Sequence, residues 1–147
     1  MKHNFYPFRA SKDFLRFTFE SESAHKRINK VVEFVLIEDE LYNLALGDLG
    51  ENGMYDDLSV SNNNDMNLVL ATVIQTIFNF FEIYPDKKLF FQGSTPARSR
   101  LYQIIIAKER EQWQDDYVIE GVFGDEREVF QLTRNYNAFI LSLKSYK

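Results

Sequence analysis

The 147 residues are 45% hydrophobic and 16% aromatic, enough apolar material for one domain with a core of its own. Cysteine is absent, which excludes disulfides, thiolate nucleophiles and every cysteine-ligated metal centre and fits a reducing cytoplasm. The 17 Lys and Arg against 22 Asp and Glu leave a net charge of −5, which opposes non-specific attraction to phosphate backbones.

The start, Met1 to Pro7, carries no apolar run of leader type, and no stretch approaches the roughly 20 apolar residues that cross a bilayer, so a cytoplasmic protein is expected. The aromatic run Phe14, Phe17, Phe19 suits a strand, and the polar stretch from Ser21 to Lys30 is read as its break. Val31 to Ile37 and Leu41 to Leu46 form a hairpin around the acidic turn Glu38-Asp39-Glu40. Gly47, Gly50 and Gly53 mark a loop, not a dinucleotide fingerprint, because no helix follows at once. Met54 to Val60 reads as a further short strand.

After the polar loop from Ser61, Asp65 is placed to cap a helix over Met66 to Tyr84, whose polar residues Thr72, Gln75, Thr76, Asn79 and Glu82 recur at steps of three and four. Pro85 closes it, and Lys87 to Gln92 reads as a strand. Thr95 as cap with Pro96 at the first helical position opens a second helix that ends near Gln112 to Asp116. Tyr117 to Phe123, Val129 to Leu132 and Ala138 to Leu143 complete the strands, with a turn at Gly124 to Glu126. The order β-β-β-(β)-α-β-α-β-β predicts an α+β domain, a largely antiparallel sheet of six or seven strands with two main helices.

Chemistry concentrates at the strand-to-helix junction between Phe90 and Tyr102, where Gly93, Ser94, Thr95, Arg98 and Arg100 stand close together. Free N–H groups at a helix start favour phosphate or carboxylate, and an Arg adds a two-pronged donor. Arg98 and Arg100 are about 200° apart around a helix, so at most one lines a small pocket, and Arg98 is the one expected beside Ser94 and Thr95. The alternative is that Ser94 and Thr95 only cap the helix and the arginines pair with surface acids such as Glu120 or Asp125.

Other groupings point to less. His3 and His25 lack ligand spacing, so no metal site is expected. The carboxylates Asp56-Asp57 and Asp115-Asp116 read as solvated charge. Nucleic-acid binding would require Lys26, Arg27, Lys30, Lys87, Lys88, Arg98 and Arg100 to converge, with Phe90 or Tyr102 as stacking partners.

The segment Gly93-Ser94-Thr95, Ala97-Arg98 and Arg100-Leu101-Tyr102, together with Asn135-Tyr136-Asn137-Ala138-Phe139-Ile140-Leu141, resembles an uncharacterised bacterial protein family of about this length, which implies a domain of unknown function. A second likeness is to the GCN5-related N-acetyltransferases, which also run antiparallel strands, a long helix, a strand and a further helix. That resemblance implies acetyl-CoA as cofactor and places Tyr102 at the general-acid tyrosine. The family's glycine-containing pyrophosphate loop should fall near Ser61 to Met66, where Ser-Asn-Asn-Asn-Asp-Met stands instead.

The sequence therefore favours a non-enzymatic binding module that uses the Gly93 to Tyr102 junction for an anionic ligand or a partner protein. The alternative is a diverged acyltransferase, and the further alternative a nucleic-acid-binding protein. The 23 aromatic residues are also compatible with a homodimer interface.

Overall fold

The computed structural model describes residues 5–22, 27–49, 55–56, 66–93 and 96–144. The fold is α+β, and its strand ladders are antiparallel except for one parallel pair. The chain divides into two compact units, Met1–Val35 with Ala45–Ile83, and Leu36–Leu44 with Tyr84–Lys147.

In the first unit β1 (Phe8–Ala10), β2 (Arg16–Glu22), β3 (Arg27–Glu38) and β4 (Leu41–Leu49) lie in sequence order, with β5 (Tyr55–Asp56) on β4. The expected break at Ser21 is not there. Phe17, Phe19 and Ser21 are buried and Glu20 and Glu22 exposed, so the two-residue alternation runs on through polar residues, held by pairing of Ser21 with Ile28 and Glu22 with Arg27. Phe14, expected inside the strand, sits instead in the turn before it with φ 58, where Leu15 N–H donates to Asp13 Oδ1 (3.0 Å) and Arg16 N–H to Ser11 Oγ (3.1 Å).

The long helix α1 (Met66–Ile83) matches the expected span to within a residue at its end. It buries Val69, Val73, Ile77, Phe80 and Phe81, and the Phe80 ring stacks on Phe34 of β3 with centroids 4.5 Å apart. Two residues of its polar stripe are inside rather than at the surface. Thr72 donates to the Leu68 carbonyl (2.7 Å) and accepts from the Tyr6 N–H (2.8 Å), and Thr76 donates to the Val73 carbonyl (2.7 Å). Back-bonding of this kind satisfies a buried hydroxyl without a distant partner. Asp65, the expected cap, lies outside the described residues, as do Ser61 to Asn64 and His3 and His25.

The second unit contains the tip of the β3–β4 hairpin, whose turn uses Asp39 at φ 45. It continues with β6 (Lys88–Phe91), α2 (Pro96–Lys108), α3 (Arg110–Trp113), β7 (Tyr117–Phe123), β8 (Glu126–Val129) and β9 (Ala138–Leu143). The ladder order is β4-β6-β9-β7-β8. β4 and β6 form the parallel pair, Leu41 opposite Lys88 through Leu44 opposite Phe91.

The second helix is shorter than its pattern suggested, giving way at Glu109 to the separate turn of α3. The hairpin turn is likewise tighter than expected. Gly124 at φ 61 and Asp125 alone join β7 to β8, so β8 begins at Glu126 rather than Val129. In the core Leu89, Phe91, Ile105, Ile119, Phe139 and Leu141 are buried, with Phe91 stacked on Phe139 at 5.3 Å.

Candidate functional site

The junction singled out by its Gly, hydroxyls and arginines is one wall of a cavity of about 270 Å3, bounded by Gln92, Gly93, Pro96, Ser99, Arg100, Gln103, Asn135, Tyr136 and Asn137. Pro96, Ser99, Arg100 and Gln103 stand at helical steps of three and four, so they share one face of α2. The opposite wall is the loop entering β9.

Ser99 joins the walls. It is buried, its hydroxyl accepts from the Gly93 N–H (3.0 Å) and donates to the Asn137 carbonyl (3.2 Å). Gln103, one turn on, accepts from the Tyr136 N–H (3.2 Å) and donates to the Arg134 carbonyl. Asn137 is fixed through its own N–H to the Val122 carbonyl (2.7 Å) and through its side-chain oxygen, which accepts from the Gly124 N–H (3.2 Å). The cavity is therefore framed by residues whose backbone positions are pinned from two sides, a preorganised polar surface.

Tyr136 anchors the loop from below. Its ring lies against Gly121, and its hydroxyl donates to Glu128 (2.7 Å) and accepts from the Gln131 N–H (3.0 Å). Burial first, then the hydrogen bond to Glu128, pushes the phenol above its ordinary value. A phenol whose folded value is raised stays protonated as pH climbs past the unfolded value, and its contribution to stability is lost as pH rises through the folded one. Ultraviolet difference titration should show one tyrosine ionising late, and Glu128→Gln should bring that step earlier.

Of the free hydrogen-bonding groups, Arg100 has no ion pair or hydrogen bond among the described residues and is exposed. Of the acids offered to it by the alternative reading, Glu120 and Asp125, Glu120 faces Arg127 instead at 3.8 Å. Gln92 and Asn135 are exposed with no hydrogen-bond partner among the described residues, and the amide nitrogen of Asn137 has none there either. One exposed cation with three carboxamides on the same cavity can hold a small anion and satisfy polar groups next to it.

Gly93 and Arg100 thus border the cavity together. Ser94, Thr95 and the side chain of Arg98 lie outside the described residues. Tyr102 does not line the cavity, and its ring meets Phe91 edge-on at 5.6 Å. The basic set considered for nucleic acid loses Lys30, which is buried against Asp48, and Lys87 faces Asp86 at 3.6 Å. Asp115 and Asp116 are exposed, and no metal-binding cluster occurs among the described residues.

Sequence reasoning missed Gln92, Ser99 and Gln103 and did not join the Asn135-Tyr136-Asn137 loop to the helix. The available signal was the i, i+4 spacing of Ser99 and Gln103, which puts two hydrogen-bonding side chains on one face of α2.

No helix among the described residues is long and apolar enough to cross a membrane. Comparison with curated proteins and with solved structures gives no match. A family model does match, over residues 2–144, nearly the whole chain, and its description is a family of unknown function, DUF6934. The chain belongs to that family.

Proposed function

We propose that the protein is a non-catalytic binding module whose cavity between α2 and the β9 entry loop takes a small anionic ligand. The observation that carries this reading is Arg100, an exposed arginine without a partner among the described residues on the wall of a cavity whose other lining residues are uncharged. The other residues that line the cavity carry no charge, so the arginine sets the sign of the ligand's charge.

Isothermal calorimetry against phosphate, sulfate, acetate and ribose 5-phosphate tests it. Binding by the wild type should weaken by about tenfold or more in Arg100→Ala, the worth of a hydrogen bond to a charged group. Arg127→Ala, which removes an exposed arginine already facing Glu120, should leave it unchanged. Absence of binding to every one of these anions would reject the proposal.

A second reading, a diverged acyltransferase of GCN5-related type, draws support from the run of antiparallel strands, α1, β6 and α2 in that order. It predicts saturable binding of coenzyme A, and none at millimolar concentration would reject it.

A further inference from the structure

Within the cavity one side chain is held more deliberately than ligand charge requires. The Gln103 carboxamide grips the backbone on both sides of Asn135, donating to the Arg134 carbonyl before it and accepting from the Tyr136 N–H after it. Tyr136 is immobilised in turn by its ring on Gly121 and its two hydroxyl hydrogen bonds, and Asn137 by Ser99, Val122 and Gly124. The residue at the centre of this clamp, Asn135, is exposed, borders the cavity and has no hydrogen-bond partner among the described residues.

A solvated loop asparagine needs no such support, since water satisfies it in any orientation. A carboxamide whose backbone is fixed presents one acceptor and two donors in a plane, which is the complement of another planar donor–acceptor edge. Primary carboxamides read such edges in pairs of parallel hydrogen bonds. Gln92 and the Asn137 amide nitrogen add further neutral groups and no charge. The volume, about 270 Å3, falls just under the roughly 300–1,000 Å3 of sites for drug-sized ligands and suits a small molecule rather than a polymer.

We infer that Asn135 is the specificity-determining residue of this cavity, positioned by Gln103, and that the ligand is a small anion bearing a planar donor–acceptor edge, either a carboxamide or a nucleobase. This rests on the reading of the cavity as an anion site. Arg100 holds the anionic group and Asn135 reads the edge.

Calorimetry with matched pairs separates the two ideas. Adenosine 5′-monophosphate is compared with ribose 5-phosphate, and succinamate, which bears a primary carboxamide, with butyrate, for wild type, Asn135→Leu and Gln103→Met, with thermal midpoints to show that each variant is folded. In the wild type at least one edge-bearing ligand should bind about tenfold or more tightly than its bare counterpart. Which pair shows the preference tells nucleobase from carboxamide. Asn135→Leu should abolish that preference, bringing each edge-bearing ligand down to the affinity of its bare counterpart, and Gln103→Met should reduce the preference in the same direction. No preference in the wild type, or one that survives in Asn135→Leu, overturns the inference while bare-anion binding upholds the site. Failure of all four ligands overturns both.

Discussion

Gly121→Ala should destabilise the protein by about 3 kcal/mol or more, the upper end of what overpacking costs in a filled interior. A Cβ at Gly121 would stand 2.3 Å from Cδ1, 2.4 Å from Cε1 and 2.5 Å from Cγ of the Tyr136 ring. These are the near atoms of a rigid ring and not the end of a flexible chain. The ring cannot swing aside cheaply, because its hydroxyl is held by Glu128 and by the Gln131 N–H, and Phe123, Phe130 and Phe139 surround it at centroid distances of 5.6 to 6.1 Å. Urea unfolding of the single variants and of the double variant with Tyr136→Ala gives a decisive comparison. In the Tyr136→Ala background the added methyl should cost close to nothing, so that the two changes are strongly non-additive. Additive costs would show that the methyl meets something else.

The second large effect lies in the other unit. Lys30 is almost wholly buried on β3, its side chain 7% exposed, and its ammonium is hydrogen-bonded to the Asp48 carboxylate on β4, itself 21% exposed. Asp48→Ala leaves that ammonium buried without its anion and should cost about 3–5 kcal/mol in unfolding free energy. Lys30→Met should cost less, because Asp48 keeps some access to water. The paired variant Lys30→Met with Asp48→Leu should recover most of the loss, since it removes both desolvation penalties together. A loss under about 1 kcal/mol in Asp48→Ala would place this pair with ordinary surface ion pairs.

The sequence disclosed those elements whose own residues dictate their conformation. α1 follows from an apolar cylinder, α2 from Pro96 at its start, and β7 and β9 appear with the limits their β-branched and aromatic residues suggest. What escaped depends on partners. β1 is three residues long and is a strand only because it pairs with Phe17 to Phe19, and the later half of β2 alternates burial through Ser21 and Glu22 against β3. The same division holds at the cavity. Gly93 and Arg100 stand close together in the sequence, though Arg98 was the arginine expected to line the pocket, whereas Asn135 to Asn137 join them only through long-range bonds from Ser99 and Gln103 that no local pattern encodes.

The placement of β9 bears on how the chain matures as it is synthesised. β9 pairs with β6 on one side and β7 on the other, yet it leaves the ribosome after both. Until it emerges, Leu89, Phe91 and Ile119 have no central strand to pack against, and the edges of β6 and β7 that it will occupy are open to wrong partners. The loop that borders the cavity precedes this strand directly, so the cavity wall becomes complete in the same step that closes the sheet. A nascent chain truncated before Ala138 would lack both, which ties formation of the cavity to completion of the sheet.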